Sequence, residues 1–165
     1  MWSKTVHPLV TEAEAYNFCL DRLALRDHSS LELRQKLAER KCPEAMQEAV
    51  VTKLWQRHFV NDARCAEHVL DAWRRKKFYG RQYLRLMLQK RVIPQKEASF
   101  VLESVAEEEE TERAEAFARS VLERLHRKYK GTEQQRKGKA ALARMLASRG
   151  FGSGAIASTL PLWDE

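Results

Sequence analysis

Leu33-Arg34-Gln35-Lys36-Leu37, followed by Arg40 and Pro43, recurs 51 residues later as Leu84-Arg85-Leu86-Met87-Leu88, followed by Arg91 and Pro94. A weaker third copy, Leu142-Ala143-Arg144-Met145-Leu146 with Arg149, stands 58 residues further on. Leucines at i and i+4 fall on one face of an α-helix, so each copy reads as a core-facing helix rather than a strand. Each is the middle helix of a three-helix unit. A unit of about 50 residues has a thin core, so neighbouring units should stack and share apolar surface. The expected fold is all-α: tandem repeats of three-helix units, about nine helices in all, forming an elongated curved array.

Working outward from the repeat, apolar residues keep helical spacing almost everywhere. Tyr16, Cys19, Leu20 and Leu23 form one stripe, and Cys65, Ala66, Val69, Leu70 and Trp73 another. Ala98, Val101, Leu102 and Val105 form a third, and Ala114, Phe117, Ala118, Val121, Leu122 and Leu125 a fourth. Start signals agree. Thr11 to Glu14 and Ser29 to Glu32 have the spacing of capping boxes, Asn61 is a cap with Asp62 in the first turn, and Pro43 and Pro94 suit first helical positions. Gly131 and Gly150 suit helix ends that need a left-handed residue. The spacing predicts helices over 12–26, 30–41, 44–57, 62–77, 81–91, 95–107, 109–130, 134–149 and 154–160. The units predicted from them are 11–60, 61–107 and 108–160, with an N-terminal extension over 1–10 and a C-terminal tail over 161–165.

Composition sets the class. The 165 residues are 44% hydrophobic and hold only 6 Gly and 4 Pro, too few for a turn-rich β protein. No apolar run is long enough to span a membrane, and Met1-Trp2-Ser3-Lys4 does not open a signal peptide. Cys19, Cys42 and Cys65 are an odd set without paired spacing, which points to core thiols in a reducing cytoplasm. The net charge of +7 is distributed in blocks. Residues 63–96 hold ten Lys/Arg against two Asp/Glu, residues 97–116 hold one against eight, and residues 117–150 again hold ten against two. Such blocks favour an anionic partner.

No catalytic constellation emerges, and neither a metal nor a cofactor is expected. Glu107-Glu108-Glu109-Glu110 points around a helix rather than converging, and reads as a solvated junction. Cys65 and His68 have the spacing of half a zinc site with no second half, so they read as packing residues. Gly150-Phe151-Gly152-Ser153-Gly154 lacks the Lys-Ser/Thr of a phosphate loop, and reads as a helix end followed by a Ser153 cap. Two basic clusters remain as candidate contacts with a protein partner or DNA. One is Arg74, Arg75, Lys76 and Lys77 with Arg81 and Arg85; the other is Lys128, Lys130, Arg136, Lys137 and Lys139 with Arg144. They suit nucleic-acid phosphates or an acidic protein groove. Phe78, Tyr79 and Phe151 read as helix-junction packing.

Leu23-Ala24-Leu25-Arg26-Asp27-His28-Ser29 leading into Glu32-Leu33-Arg34 and Lys36-Leu37, then Phe59-Val60-Asn61-Asp62-Ala63-Arg64-Cys65-Ala66, then Tyr79-Gly80-Arg81 with Leu84, Leu88 and Lys90, resemble the RecX family of RecA regulators. Arg149-Gly150-Phe151 echoes the family's third unit, and the resemblance covers about residues 13–160. Its motif residues read as structural. Ser29 caps, Glu32 closes the box, Leu33 and Leu37 enter the core, Asp27 is placed to pair with Arg64 or Arg34, and Asn61 starts the fourth helix. Arg26, Asp62, Tyr79 and Gly80 belong to the same set. The chain departs from the family at Cys65, where Phe is usual, and at Arg91, where Gly is usual, so the fifth helix is expected to end differently.

The resemblance implies a non-enzymatic monomer in the cytoplasm that binds the groove of the RecA–DNA filament. It implies that the protein blocks or destabilises filament extension, damping ATP hydrolysis, strand exchange and the coprotease activity behind the SOS response, with at most weak non-specific DNA contact. The competing expectation is a DNA-binding module of helix-turn-helix type that acts without RecA.

Overall fold

The structure, a computed structural model, describes residues 7–165. Met1-Trp2-Ser3-Lys4 and the two residues after it lie outside the described residues. Among the described residues there are nine α-helices and no strand: α1 (Glu12–Leu25), α2 (Ser30–Glu39), α3 (Glu44–Gln56), α4 (Asp62–Arg75), α5 (Arg81–Lys90), α6 (Gln95–Ser104), α7 (Glu107–Lys128), α8 (Thr132–Ser148) and α9 (Ser153–Thr159). A 3₁₀ turn, Leu160–Asp164, closes the chain. No helix among them is long and apolar enough to cross a membrane.

The described chain divides into two compact units. The first holds the residues up to His68 together with Leu88–Ala98; the second holds Val69–Met87 and Ser99–Glu165. Helices α4, α5 and α6 therefore give residues to both.

In the first unit, Ala15, Cys19, Leu33, Leu37, Val50 and Leu54 are fully enclosed, with Cys42, Val51 and Val60 beside them. Burying one such aliphatic side chain contributes about 1.5–3 kcal/mol. Burial pushes the Cys19 thiol up to about 12, so it is a packing group rather than a nucleophile. Thr11 makes the full capping box with Glu14. The second box is only half made. Ser29 Oγ accepts from the Glu32 amide, but the Glu32 carboxylate turns to Arg26, at 2.5 and 2.9 Å. A bidentate ion pair there outcompetes a single bond to the Ser29 amide. Pro43 is also displaced by one residue from its expected place. It is the cap of α3, extended at φ −58° and ψ 144°, and its carbonyl accepts from Gln47. Pro94 does the same for α6, accepting from Ala98.

In the second unit, Phe117, Ala118, Leu125, Leu142, Leu146, Phe151 and Trp163 form the core, with Phe78 packed against it. Gly138 is buried because the Trp163 indole lies on it; a Cβ there would sit 2.2 Å from the ring. The stretch Leu160-Pro161-Leu162-Trp163 thus completes this core. Gly152, not Ser153, is the cap of α9, and Ser153 is its first helical residue. The reason is that Glu110 reaches the Gly152 amide at 3.0 Å and fixes the turn one residue earlier.

The sequence repeat returns as a repeated helix ending. After α2, Lys41 takes φ +56°, its amide meets the Ala38 carbonyl, and the Cys42 amide meets the Leu37 carbonyl. After α5, Val92 takes φ +50°, with Val92 on Gln89 and Ile93 on Leu88. After α8, Gly150 takes φ +79°, with Gly150 on Ala147 and Phe151 on Leu146. This paired bonding satisfies the last helix carbonyls and tucks the next apolar residue under the helix. The left-handed residue is therefore Val92 rather than Arg91, which ends α5 as Arg40 and Arg149 end α2 and α8. A β-branched residue in that region is strained by about 1–2 kcal/mol. Val92→Gly is expected to raise stability by about 1 kcal/mol, seen as a higher urea midpoint at unchanged slope.

Candidate partner interface

The family-motif residues gather at two interlocks, each inside one unit. In the first unit, Ser29 Oγ donates to the Val92 carbonyl at 2.6 Å. The Ser30 amide and hydroxyl both donate to the Asp62 carboxylate, each at 2.6 Å. Asp62 thereby satisfies the open start of α2, where helix amides lack partners and the dipole favours negative charge. Asp27 takes Arg64 at 3.3 Å and His68 at 2.9 Å, while the Asp27 carbonyl accepts from Arg91 at 2.8 Å. Arg34 pairs with Glu48 instead. His28 is buried on the Arg26 carbonyl at 3.0 Å, and burial pushes its ring below the usual histidine range. Asn61 caps α4 through the Arg64 amide. Cys65 is 1% exposed, and burial pushes its thiol up to about 11, whereas His68 is exposed on Asp27.

The second unit repeats this arrangement with different residues. The Gly80 amide donates to the Arg149 carbonyl at 3.0 Å, and Gln82 to the Gly150 carbonyl at 2.9 Å. Glu110 accepts from the Arg81 amide at 2.9 Å, as Asp62 does from Ser30. Arg113 stands in the place of Arg64. Its guanidinium stacks 3.9 Å over the Trp73 ring and donates to the carbonyls of Trp73, Lys76 and Tyr79. Trp73, fully buried, donates to the Gly80 carbonyl at 3.0 Å. The run Glu107 to Glu110 is thus only half solvated, correcting its reading as a purely solvated junction. Glu110 is buried and Glu109 holds Arg74 at 3.1 Å, because the α7 start lies against the α4 end and the α5 start. Neither Glu110 nor Arg113 is marked by a sequence motif; the only clue is that an acidic and a basic residue near the start of α7 echo Asp62 and Arg64 near the start of α4.

This sorting shows which cations remain open. In the first basic cluster, Arg74 is tied to Glu109, whose hydrogen bond raises the Arg74 pKa, and Arg81 donates to the Val105 carbonyl at 2.5 Å. Arg75, Lys76, Lys77 and Arg85 are exposed and form no ion pair among the described residues; Lys76 lies 5.9 Å from the Tyr79 ring. Tyr79 itself packs against Tyr83, with ring centroids 4.2 Å apart and the planes tilted by 31°, and lies under Arg149 at 5.0 Å. Phe78 packs on Phe117, which in turn stacks on Phe151. Leu86, next to Arg85, is 60% exposed, and Phe100 on α6 is 73% exposed. In the second cluster, Lys139 is taken by Asp164 at 2.5 Å. Lys128, which lies 5.4 Å from the Tyr129 ring, is exposed, as are Lys130, Arg136, Lys137 and Arg144. Arg136, Lys137 and Arg144 line a hollow of about 540 Å³ with Tyr129, Glu133 and Ala140. No cluster of His, Cys, Asp or Glu among the described residues is placed to hold a metal ion.

Comparison with known proteins agrees with this geometry. Residues 15–54 match the family model described as RecX, first three-helix domain. A protein named Regulatory protein RecX from Cronobacter sakazakii is 39% identical over 94 residues, covering 48% of this chain and 56% of that protein. One of the same name from Leuconostoc mesenteroides is 24% identical over 139 residues, covering 84% of this chain and 50% of that protein. The chain thus spans about half the length of the curated relatives it matches. The crystal structure of RecX from Lactobacillus salivarius superposes with a TM-score of 0.76 at 20% identity, covering 93% of this chain and 96% of that one. A second crystal structure, of regulatory protein RecX, superposes at 0.74 and 22% identity, covering 93% and 73%.

Proposed function

We propose that this chain is a regulator of the RecX kind that acts on RecA, on the match of its residues 15–54 to the first RecX three-helix domain. In this reading it binds the groove of the RecA–DNA filament and blocks or destabilises filament extension, damping ATP hydrolysis, strand exchange and SOS coprotease activity. It performs no catalysis of its own and acts in the cytoplasm as a monomer. The observation that carries the reading is the match of residues 15–54 to the first RecX domain. Support for the contact surface comes from the first cluster, where Arg75, Lys77 and Arg85 are exposed and Leu86, next to Arg85 on α5, is exposed as well. Open cations together with an exposed apolar side chain suit a protein partner, whose interfaces combine an apolar core with a polar rim.

The test is RecA ATP hydrolysis on single-stranded DNA, with this protein added below the RecA concentration. Loss of hydrolysis at substoichiometric levels is expected, because one molecule then acts on many protomers. Arg75→Glu, Lys77→Glu and Arg85→Glu together are expected to raise the concentration needed for half-inhibition at least tenfold, or about 1.4 kcal/mol, with unchanged helical content. Arg81 is left out of the variant, since its guanidinium is used inside the fold. An unchanged hydrolysis rate with the wild-type protein would remove the regulatory reading and leave the helix-turn-helix-like DNA module.

A further inference from the structure

The joint at the start of α2 encloses a titratable ring. His28, in the turn between α1 and α2, is 3% exposed. Its Nδ1 lies 3.0 Å from the Arg26 carbonyl oxygen. A carbonyl only accepts, so Nδ1 carries the ring proton and Nε2 is bare. Nε2 faces Glu32 Oε1 at 4.0 Å, beyond hydrogen-bond reach. Glu32 is already engaged, since both of its oxygens take the Arg26 guanidinium, at 2.5 and 2.9 Å. The remaining charges that act on this pair are cations. Lys36 lies further along α2, and Arg91, after α5, acts on the same Glu32. The nearby carboxylates point elsewhere: Asp27 is turned to Arg64 and His68 of α4, and Asp62 to Ser30. A second proton on the ring would add a cation among cations, at a place closed to water. Burial, helped by Arg26 and Lys36, holds the His28 ring below the usual histidine range, against the pull of the Arg26 carbonyl and of Glu32.

We propose that His28 is an acid-sensitive latch of the first unit: a proton taken up by Nε2 opens the joint that holds the start of α2 against the turn after α5 and the start of α4. The new Nε2–H needs an acceptor, and Glu32 is the group it faces. Glu32 reaches it by letting go of Arg26, or the ring leaves its site for water. Either move displaces the turn that carries the clamps, which stand one and two residues from the ring. Ser29 donates to the Val92 carbonyl, and Ser30 makes both bonds to Asp62. The direction follows from linkage. The folded chain keeps the ring neutral, while the unfolded chain binds a proton at about pH 6.5, so stability is full above that value and falls below it. At pH 5.5 the folded-to-unfolded ratio is lower by up to about tenfold. Ordinary carboxylates titrate below this window, and Arg26 together with His28 holds the Glu32 carboxyl lower still, despite its burial. The latch goes beyond the regulatory reading and stands without it.

The experiment is urea unfolding of the full chain, without RecA, between about pH 7.5 and about pH 5.5, on either side of the ordinary histidine value. The wild-type protein is expected to lose several-fold in its folded-to-unfolded ratio, at most about tenfold. His28→Asn keeps an amide donor for the Arg26 carbonyl and takes no proton, so it should remove that loss. His58→Asn should keep it, because His58 is exposed and asparagine tolerates the left-handed backbone found there. Amide exchange locates the opening. On acidification, protection corrected for intrinsic rates should fall further at Ser30, Glu32 and Leu33 than at Leu142 and Leu146 of α8. An NMR titration of the wild-type ring completes the test without relying on a variant that folds: His28 should take its proton below about pH 6.5. A His28→Asn protein with the wild-type pH dependence overturns the proposal. So does a folded-state ring that titrates at or above the ordinary histidine value, or an equal fall in protection at the α2 and α8 amides. RecA hydrolysis is read separately, so failure here and failure of the regulatory reading are told apart.

Discussion

Gly80→Ala is expected to destabilise the protein by about 3 kcal/mol, through overpacking and two strained hydrogen bonds. A Cβ at this position would lie 2.4 Å from the Gly150 carbonyl oxygen, 2.4 Å from the Phe151 Cα and 2.5 Å from the Phe151 nitrogen. All three are main-chain atoms, so no rotamer change relieves the clash. The start of α5 must then separate from the turn after α8, which strains the Gly80–Arg149 and Gln82–Gly150 hydrogen bonds. Gly150 is constrained from the other side, since it has φ +79° and a Cβ there would sit 2.6 Å from the Tyr83 nitrogen. For a chain of this size the thermal midpoint should fall by about 10 °C. Gly154→Ala is the control: a Cβ there meets nothing within 4 Å, and the position is helical, so the midpoint should hold or rise slightly. A Gly80→Ala protein that melts with the wild type would show that the two turns are not in close contact.

Glu110→Ala should cost about 3 kcal/mol, because two half-buried amides lose their acceptor and Arg81 its counter-charge. Its Oε1 accepts from Arg81 at 2.9 Å and from Gly152 at 3.0 Å, so a single carboxylate starts α5 and fixes the turn into α9. The Arg81 side chain lies 3.9 Å from the other oxygen and would lose its counter-charge as well. Glu110→Gln keeps an oxygen in place and gives up only the charge at the helix start, a loss of about 1 kcal/mol. Chemical denaturation of the three proteins gives the order wild type, Gln, Ala. Equal loss in both variants would mean that charge, rather than the acceptor, is what α5 requires. Glu108→Ala, an exposed neighbour in the same acidic run, should change stability by less than about 0.5 kcal/mol.

These two residues illustrate what was legible beforehand. Gly80 stood out in the Tyr79-Gly80-Arg81 motif, but the motif did not say what the glycine admits. Glu110 was one of four consecutive glutamates, and nothing local separates it from Glu107 or Glu108. Its partners Arg81 and Gly152 are 29 and 42 residues away in sequence. Arg81 and Arg85 look alike on paper, one turn apart on α5. Only the fold distinguishes an arginine held on the Val105 carbonyl from one left in solvent.

Local sequence carries the helices, their order and their repetition. Helix formation is local: leucines at i, i+4, a capping threonine and a proline at a helix start act within one or two turns, so the nine helices among the described residues are readable to within a few residues. Packing in three dimensions selects which ends interlock, that the left-handed residue is Val92, that Glu32 serves Arg26 rather than its own cap, and which cations are spent inside the fold. Those outcomes depend on competition between partners brought together from distant segments, as when Ser29 meets Val92 across 63 residues. A one-dimensional pattern carries a residue's own preference, but it does not carry the identity of the partner that wins.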